Sequence, residues 1–183
     1  MNKKLAAVTI VAAFLATAVL ALWIGGGEGK TIQASPTPSL GVDADPAGNT
    51  ATSLGAIRSC REVNVGDTFD VDVWVTNVSD LSGLIAWVTY DYTILEVINE
   101  RSKDLLLGSA PGSKVSDFSD PPALHAFPDT DGLYEVYAQD LGTSESGSGV
   151  LARLTLRAVG AGTSPVTLEK RPKSMVPRLL DSS

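Results

Sequence analysis

One cysteine and one histidine are all that this 183-residue chain holds of two residue types that carry much of protein chemistry. With Cys60 alone, no disulfide forms within the chain and no cysteine cluster holds zinc, so the fold must rest on packing. Cys60 reads as a buried or semi-buried bystander, with pairing to another chain as the alternative; Arg58 and Arg61 are the cations near it in sequence. His125 stands in the proline-bounded stretch "PPALHAFP" and reads as a solvated loop residue rather than a general base. There is no GxSxG elbow, phosphate loop, CxxC pair or HExxH motif. Carboxylates are plentiful, but in turn-like settings, whereas glycoside cleavage needs two of them across a cleft. These absences argue against an enzyme.

Positive charge is also scarce: 14 Lys and Arg stand against 21 Asp and Glu, a net charge of −7. Such a surface repels nucleic acid and anionic lipid and suits calcium or basic protein surfaces. Helical periodicity is missing too. After residue 40 no segment keeps a helical period for three turns, the nearest being residues 102–108. Long apolar runs are absent with one exception. Residues 5–24 carry no charge, come directly after Lys3 and Lys4, and end at "GGGEGK". This is the pattern of an export signal or anchor helix, and it assigns residues 1–34 to that role. The run approaches the ~20 residues that span a bilayer, so both cleavage after "IQA" and retention as a membrane anchor stay open. Either outcome places the remainder in the cell envelope or outside the cell, with membrane contact only through this segment.

Beyond this segment the chain divides into a short tether and a folded part. "TIQASPTPSL" is rich in Ser, Thr and Pro, and residues 35–40 read as a flexible link. A domain of roughly 140 residues hides about two-thirds of its unfolded surface and can support its own core. "TFDVDVWVTNV" alternates strictly, with Phe69, Val71, Val73 and Val75 on one side and Asp70, Asp72, Trp74 and Thr76 on the other. "GLIAWVTYD" sets Leu84, Ala86, Val88 and Tyr90 against Ile85, Trp87 and Thr89. "LYEVYAQD" sets Tyr134, Val136 and Ala138 against Glu135, Tyr137 and Gln139, and "GVLARLTLRAVG" sets Ala152, Leu154, Leu156 and Ala158 against Arg153, Thr155 and Arg157. Shorter candidate strands are residues 41–45, 95–99 and 166–170. Many short alternating strands with turn residues between them predict an all-β, two-sheet antiparallel sandwich.

Two stretches, "VNVGDTFDVDVWVTNVSDLSGLIAWVTYDYTILEVIN" and "SGSGVLARLTLRAVGAGTSPVTL", resemble the cohesin domains of bacterial cellulose-degrading complexes and their relatives in free-living bacteria. The most specific pieces are "VGDTF", Tyr90-Asp91 with "LEV" shortly after it, and "GVLA" leading into the strand that ends at Gly160. The resemblance implies a nine-stranded antiparallel jelly-roll sandwich over residues 41–170, with 171–183 as a tail. It further implies a non-catalytic module that needs no cofactor of its own and docks a calcium-loaded dockerin on the outer face of one sheet. The motifs also have structural readings: Gly66-Asp67 as a turn, Gly83 as a close approach, and Tyr90-Asp91 as a strand end with the aromatic in the core. Two departures stand out. Tyr92 occupies the position where the family usually has proline, and "EKRPKSMVPRLLDSS" is shorter and more basic than a full closing strand.

In the family's layout, strands resembling 84–90, 133–140 and 150–159 share one sheet. The resemblance therefore assigns the docking face to Ile85, Trp87, Thr89, Glu135, Tyr137, Gln139, Arg153 and Arg157, with Thr155 between the arginines. Two aromatics and an isoleucine ringed by charge suit a protein partner. The alternative is that a loop, such as residues 105–131, covers Trp87. Trp87 and Tyr137 could also stack on polysaccharide, although Trp74 should lie on the opposite sheet and no coplanar row results. A purely structural or adhesive role is the third reading. Asp43 and Asp45, with Asn49, and Asp129 with Asp131 are oxygen donors suited to calcium, but they serve equally as turn formers, and neither stretch completes an EF-hand. Asn77-Val78-Ser79 fits a glycosylation acceptor that reads as incidental, and the cations of residues 170–178 read as a solvated end.

Overall fold

The computed structural model describes residues 5–9, 36–119, 126–169 and 178–181, the first and last of these as backbone only. His125, residues 10–35 and most of the C-terminal tail lie outside the described residues.

The described residues form strands β1 (Leu5–Thr9), β2 (Ser39–Asp43), β3 (Cys60–Asn64), β4 (Thr68–Thr89) and β5 (Leu95–Arg101), then a 3₁₀ turn, Leu106–Gly108. Next come β6 (Val115–Asp117), β7 (Leu133–Asp140), β8 (Glu145–Ala158), β9 (Thr163–Pro165), β10 (Thr167–Leu168) and β11 (Arg178–Asp181). The all-β class stands, and the described residues hold eleven strand segments where nine strands were expected. Two expected strands run together in β4, and the short β3, β6 and β9 carry too few residues to show alternation. The 3₁₀ turn falls where the sequence came nearest to a helical period. β2 begins at Ser39, inside the stretch read as tether.

β4 organises the molecule because its 22 residues serve two layers. Its first half, 68–76, pairs with β8 and β2; its second half, 81–89, pairs with β7, β10 and β11. Between the halves the register with β8 shifts, and Asn77 and Asp80 adopt positive φ angles of 56° and 54°. Asn and Asp tolerate this region better than other side chains, so the sequence "NVSD" allows the bend. Hydrogen bonding runs without a break through β4 in the order β5–β8–β4–β7–β6, and the bend in β4 folds this sheet into two layers, β5–β8–β4 (first half) with β2 and β6–β7–β4 (second half) with β10 and β11, while β3, β1 and β9 form a separate three-stranded sheet.

The predicted inward residues meet between the layers. Phe69, Val71, Val73 and Val75 join Leu84, Ala86, Val88, Tyr134, Val136, Ala138, Leu154 and Leu156 in one buried cluster. Each fully buried aliphatic side chain there contributes about 1.5–3 kcal/mol relative to exposure. Trp74 points the other way yet is also buried, because its indole lies on Gly41 of β2, where a Cβ would sit 2.6 Å from the ring. The Gly66-Asp67 turn forms as read: Gly66 has φ 96°, and Asp67 accepts the Asn64 N–H at 2.9 Å.

Two features depart from expectation. The helix expected across residues 5–24 does not extend over Leu5–Thr9, which runs as β1, antiparallel to β3 and parallel to β9. Flanked by two strand edges, its backbone groups find partners in extended form. No helix among the described residues is long and apolar enough to cross a membrane. Cys60, expected at least half buried, is exposed, because it opens β3 while Val63 supplies that strand's buried position.

Candidate functional site

The second half of β4 and β7 place the expected face in register. Ile85 stands opposite Tyr137, Trp87 opposite Glu135, and Gly83 opposite Gln139. With Leu84, Ala86, Tyr134 and Val136 turned into the core, strand alternation sends Ile85, Thr89, Glu135, Tyr137 and Gln139 outward, where all five are half-buried. Trp87 differs from the exposed centre of a patch: it is 7% exposed, and its indole N–H donates to Glu135 Oε2 at 3.2 Å. The covered alternative therefore applies to Trp87. β10 docks alongside, with Thr167 Oγ1 2.8 Å from Thr89 Oγ1, and the Glu169 N–H donates to the Trp87 carbonyl at 2.8 Å.

Sequence reasoning missed Phe118. Its ring lies 5.0 Å from Tyr137 and is 47% exposed, and its N–H donates to the Tyr137 carbonyl at 2.7 Å. Ser119 completes the attachment, its Oγ accepting the Tyr137 N–H at 2.9 Å. A lone aromatic in "SDFSD" has no alternation to mark it; only the pairing of β6 with β7 brings it to the face.

Arg153, Thr155 and Arg157 are not part of this face. β8 pairs with β5 and with the first half of β4, so these residues stand on the outer side of the other layer. These strands do share one hydrogen-bonded sheet, but not one outer face, because β4 changes layer at its bend. On that side, Arg153 donates Nε to Asp72 Oδ1 at 2.7 Å and Nη2 to Oδ2 at 2.8 Å. Asp72 is 0% exposed and also accepts from Asn49 at 3.0 Å, and its hydrogen bonds and charge hold the Arg153 guanidinium even more firmly protonated than usual. Arg157 is bound to Glu96, and Thr155 donates to Asp70 at 2.8 Å. Asp70, Asn99, Arg101, Arg153 and Thr155 line a polar cleft of about 130 Å³. The charges on this side are matched among themselves and hold strands together.

The aspartates considered for calcium are turned toward N–H donors. Asp43 accepts the N–H groups of Asp45 and Arg58 at 3.1 and 2.8 Å on one oxygen, and the Asn49 amide at 2.8 Å on the other. Asp45 sits 3.7 Å from Arg61. Asp129 receives the buried Tyr90 hydroxyl, and Asp131 accepts the Leu133 N–H at 2.9 Å. Apart from Asp45, each of these carboxylates already accepts an N–H or O–H from its own turn or a neighbouring strand, the contacts of a turn former. Among the described residues, no group of three or more His, Cys, Asp or Glu is placed to hold a metal. Burial, then Asp129, raises the Tyr90 hydroxyl above its ordinary range, so this contact is a neutral donor on a carboxylate. It anchors the Tyr90-Asp91 motif structurally. The Asp91 carboxylate is held below its usual range by the Thr93 hydroxyl and N–H, which close the turn without the family's proline, and Tyr92 is left exposed.

A sandwich presenting one half-buried face of aromatic, aliphatic and amide side chains has the build of a binding module. The family model of the cohesin domain matches residues 56–175, well over half of the chain. The chain belongs to the cohesin domain family, whose members are non-catalytic docking modules. Among solved structures it is similar to the sixth cohesin of scaffoldin B from Acetivibrio cellulolyticus, crystallised with a mutant Cel5 dockerin: 19% identity, 80% of this chain and 88% of that one, TM-score 0.49. A type II cohesin from the cellulosome of the same organism gives 15% identity over 76% and 78% of the two chains, TM-score 0.48. A non-cellulosomal cohesin from the archaeon Archaeoglobus fulgidus gives 16% identity over 57% and 81%, TM-score 0.37. The comparison with curated proteins found no match.

Proposed function

We propose that this chain is a non-catalytic docking module that takes a protein partner of the dockerin type on the outer face of β4 (second half) and β7. Ile85, Tyr137 and Phe118 form the apolar contact, with Thr89, Glu135 and Gln139 around it. The observation carrying this reading is the cohesin-family match, which spans both strands that build the face. A half-buried Tyr137 and an exposed Phe118 among polar neighbours are the composition from which interface hot spots are drawn. The arginines of β8 are assigned to structure, and Trp87 to support beneath the face. The module needs no cofactor of its own.

The N-terminal apolar run is proposed to direct export, so that docking takes place in the cell envelope or outside the cell. Cell fractionation with an antibody to the domain tests this, and a purely cytoplasmic signal would refute it. Polysaccharide is the competing ligand. A flat sugar-binding row would need coplanar exposed rings, and the burial of Trp87 removes one of the two the sequence offered. Calorimetric titration with a panel of dockerins, beside retention on insoluble polysaccharides, separates the two: dockerin binding supports the reading, and retention on polysaccharide alone overturns it.

A further inference from the structure

We propose that residues 110–119, the segment that carries Phe118, are a proton-held flap: two pairs of carboxyl groups, the half-buried Glu100 with Asp117 and the buried Asp140 with Glu145, each share one proton, and losing those protons releases the segment from the sheet edge.

Strand register sets the geometry of the first pair. Glu100 stands opposite Leu154 and Asp117 opposite Ala138, both of which face the core, so the two half-buried carboxyls point inward from opposite layers, with Asp117 within hydrogen-bond reach of Glu100. The second pair closes the turn between β7 and β8. Asp140 Oδ1 accepts the Lys114 and Gly142 N–H groups at 2.6 and 2.7 Å, and Glu145 Oε1 accepts the Ser113 hydroxyl at 2.7 Å. Gly142 lies so close that a Cβ there would sit 2.2 Å from the Gly112 carbonyl. The turn and the segment are therefore in direct backbone contact.

Each pair also leaves oxygen atoms without a donor. Glu100 Oε1, Asp140 Oδ2 and Glu145 Oε2 are buried and have no hydrogen-bond partner, although Asp140 and Glu145 are only 5% and 4% exposed. Buried oxygens are rarely left so, and a single proton between two facing carboxyls satisfies both. In the second pair Glu145 is the donor and Asp140 the acceptor. Burial, then the Asp140 charge, raises Glu145, whereas the N–H donors on Asp140 outweigh its burial and keep it below the usual range. Burial, then Asp117, pushes Glu100 up to about 8, and Lys103 opposes them. Those are the charged groups acting on each pair; the 3₁₀ turn packed nearby contributes the buried Leu105, Leu106 and Leu107. On deprotonation the Oε–H bond breaks, the proton passes to solvent, and two carboxylates face one another.

A carboxyl raised in the folded state stabilises that state fully below its unfolded value near 4.5, and the stabilisation is lost as pH rises through about 8. Release would also lift Phe118 from Tyr137, a consequence that rests on the docking reading; the test does not.

Hydrogen exchange of the whole chain, read at the Lys114 and Phe118 amides and corrected for the intrinsic rate at each pH, decides the matter. Through the Glu100 proton alone, protection should fall at least about tenfold between pH 7 and pH 9 relative to the core amide of Val73. Glu100→Gln with Glu145→Gln, which keep shape and supply a permanent donor, should flatten that dependence. Equal pH dependence in wild type and double variant would overturn the proposal. So would restoration of protection at pH 9 by calcium chloride, which would make the pairs a cation site instead.

Discussion

The two outer faces of this sandwich are built from equally regular alternation, yet they come to opposite ends. On β5, β8 and the first half of β4, outward polar groups meet complements on the next strand: Arg153 on Asp72, Arg157 on Glu96, Thr155 on Asp70. On the second half of β4 and β7, the outward side chains are Ile85, Tyr137 and Gln139, with Phe118 added from just after β6, and these rings and aliphatic groups remain partly open to solvent. An outward position is therefore a candidate interface only when its cross-strand neighbours leave it incomplete.

The contrast can be broken most severely at its structural end. Arg153→Leu leaves the carboxylate of Asp72 buried without its main partner and should cost about 3–5 kcal/mol, read as a drop in the urea midpoint. The same change on the solvated rim of that layer should do little: Arg101→Ala removes only the exposed pair with Asp104, worth ~0–1 kcal/mol, and should leave partner binding unchanged. On the other face the balance reverses. Tyr137→Ala with Phe118→Ala should weaken dockerin binding about thirtyfold, the effect of a ~2 kcal/mol hot spot, while melting changes far less. Trp87→Phe keeps the packing but loses the indole donor to Glu135, so it should cost about 1 kcal/mol of stability and leave affinity alone. The smallest effect expected is none: calcium or chelator should not move the melting temperature, because Asp43, Asp129 and Asp131 serve as turn formers.

Much of the fold was legible from periodicity. The inward sets of β4, β7 and β8 are buried as their alternation required, because a period of two leaves no other register once one face meets the core. What could not be read was where β4 changes layer. "NVSD" permits a bend, but nothing local says that the strands flanking residues 68–76 differ from those flanking 81–89, and the misplacement of Arg153 and Arg157 stems from that alone. Trp87 and Trp74 show the same limit. Alternation gives the side a ring faces, whereas its burial depends on distant partners, Glu135 for one and Gly41 for the other. Phe118 and Cys60 sit at edges too short to carry a pattern.

The most direct test of the docking assignment is calorimetric titration of a dockerin panel into the wild-type chain, the Tyr137→Ala/Phe118→Ala variant and the Arg101→Ala variant. The account predicts equal binding by wild type and Arg101→Ala and binding about thirtyfold weaker by the β7-face variant. Full binding by the β7-face variant alongside loss in Arg101→Ala would place the interface on the opposite layer and contradict it.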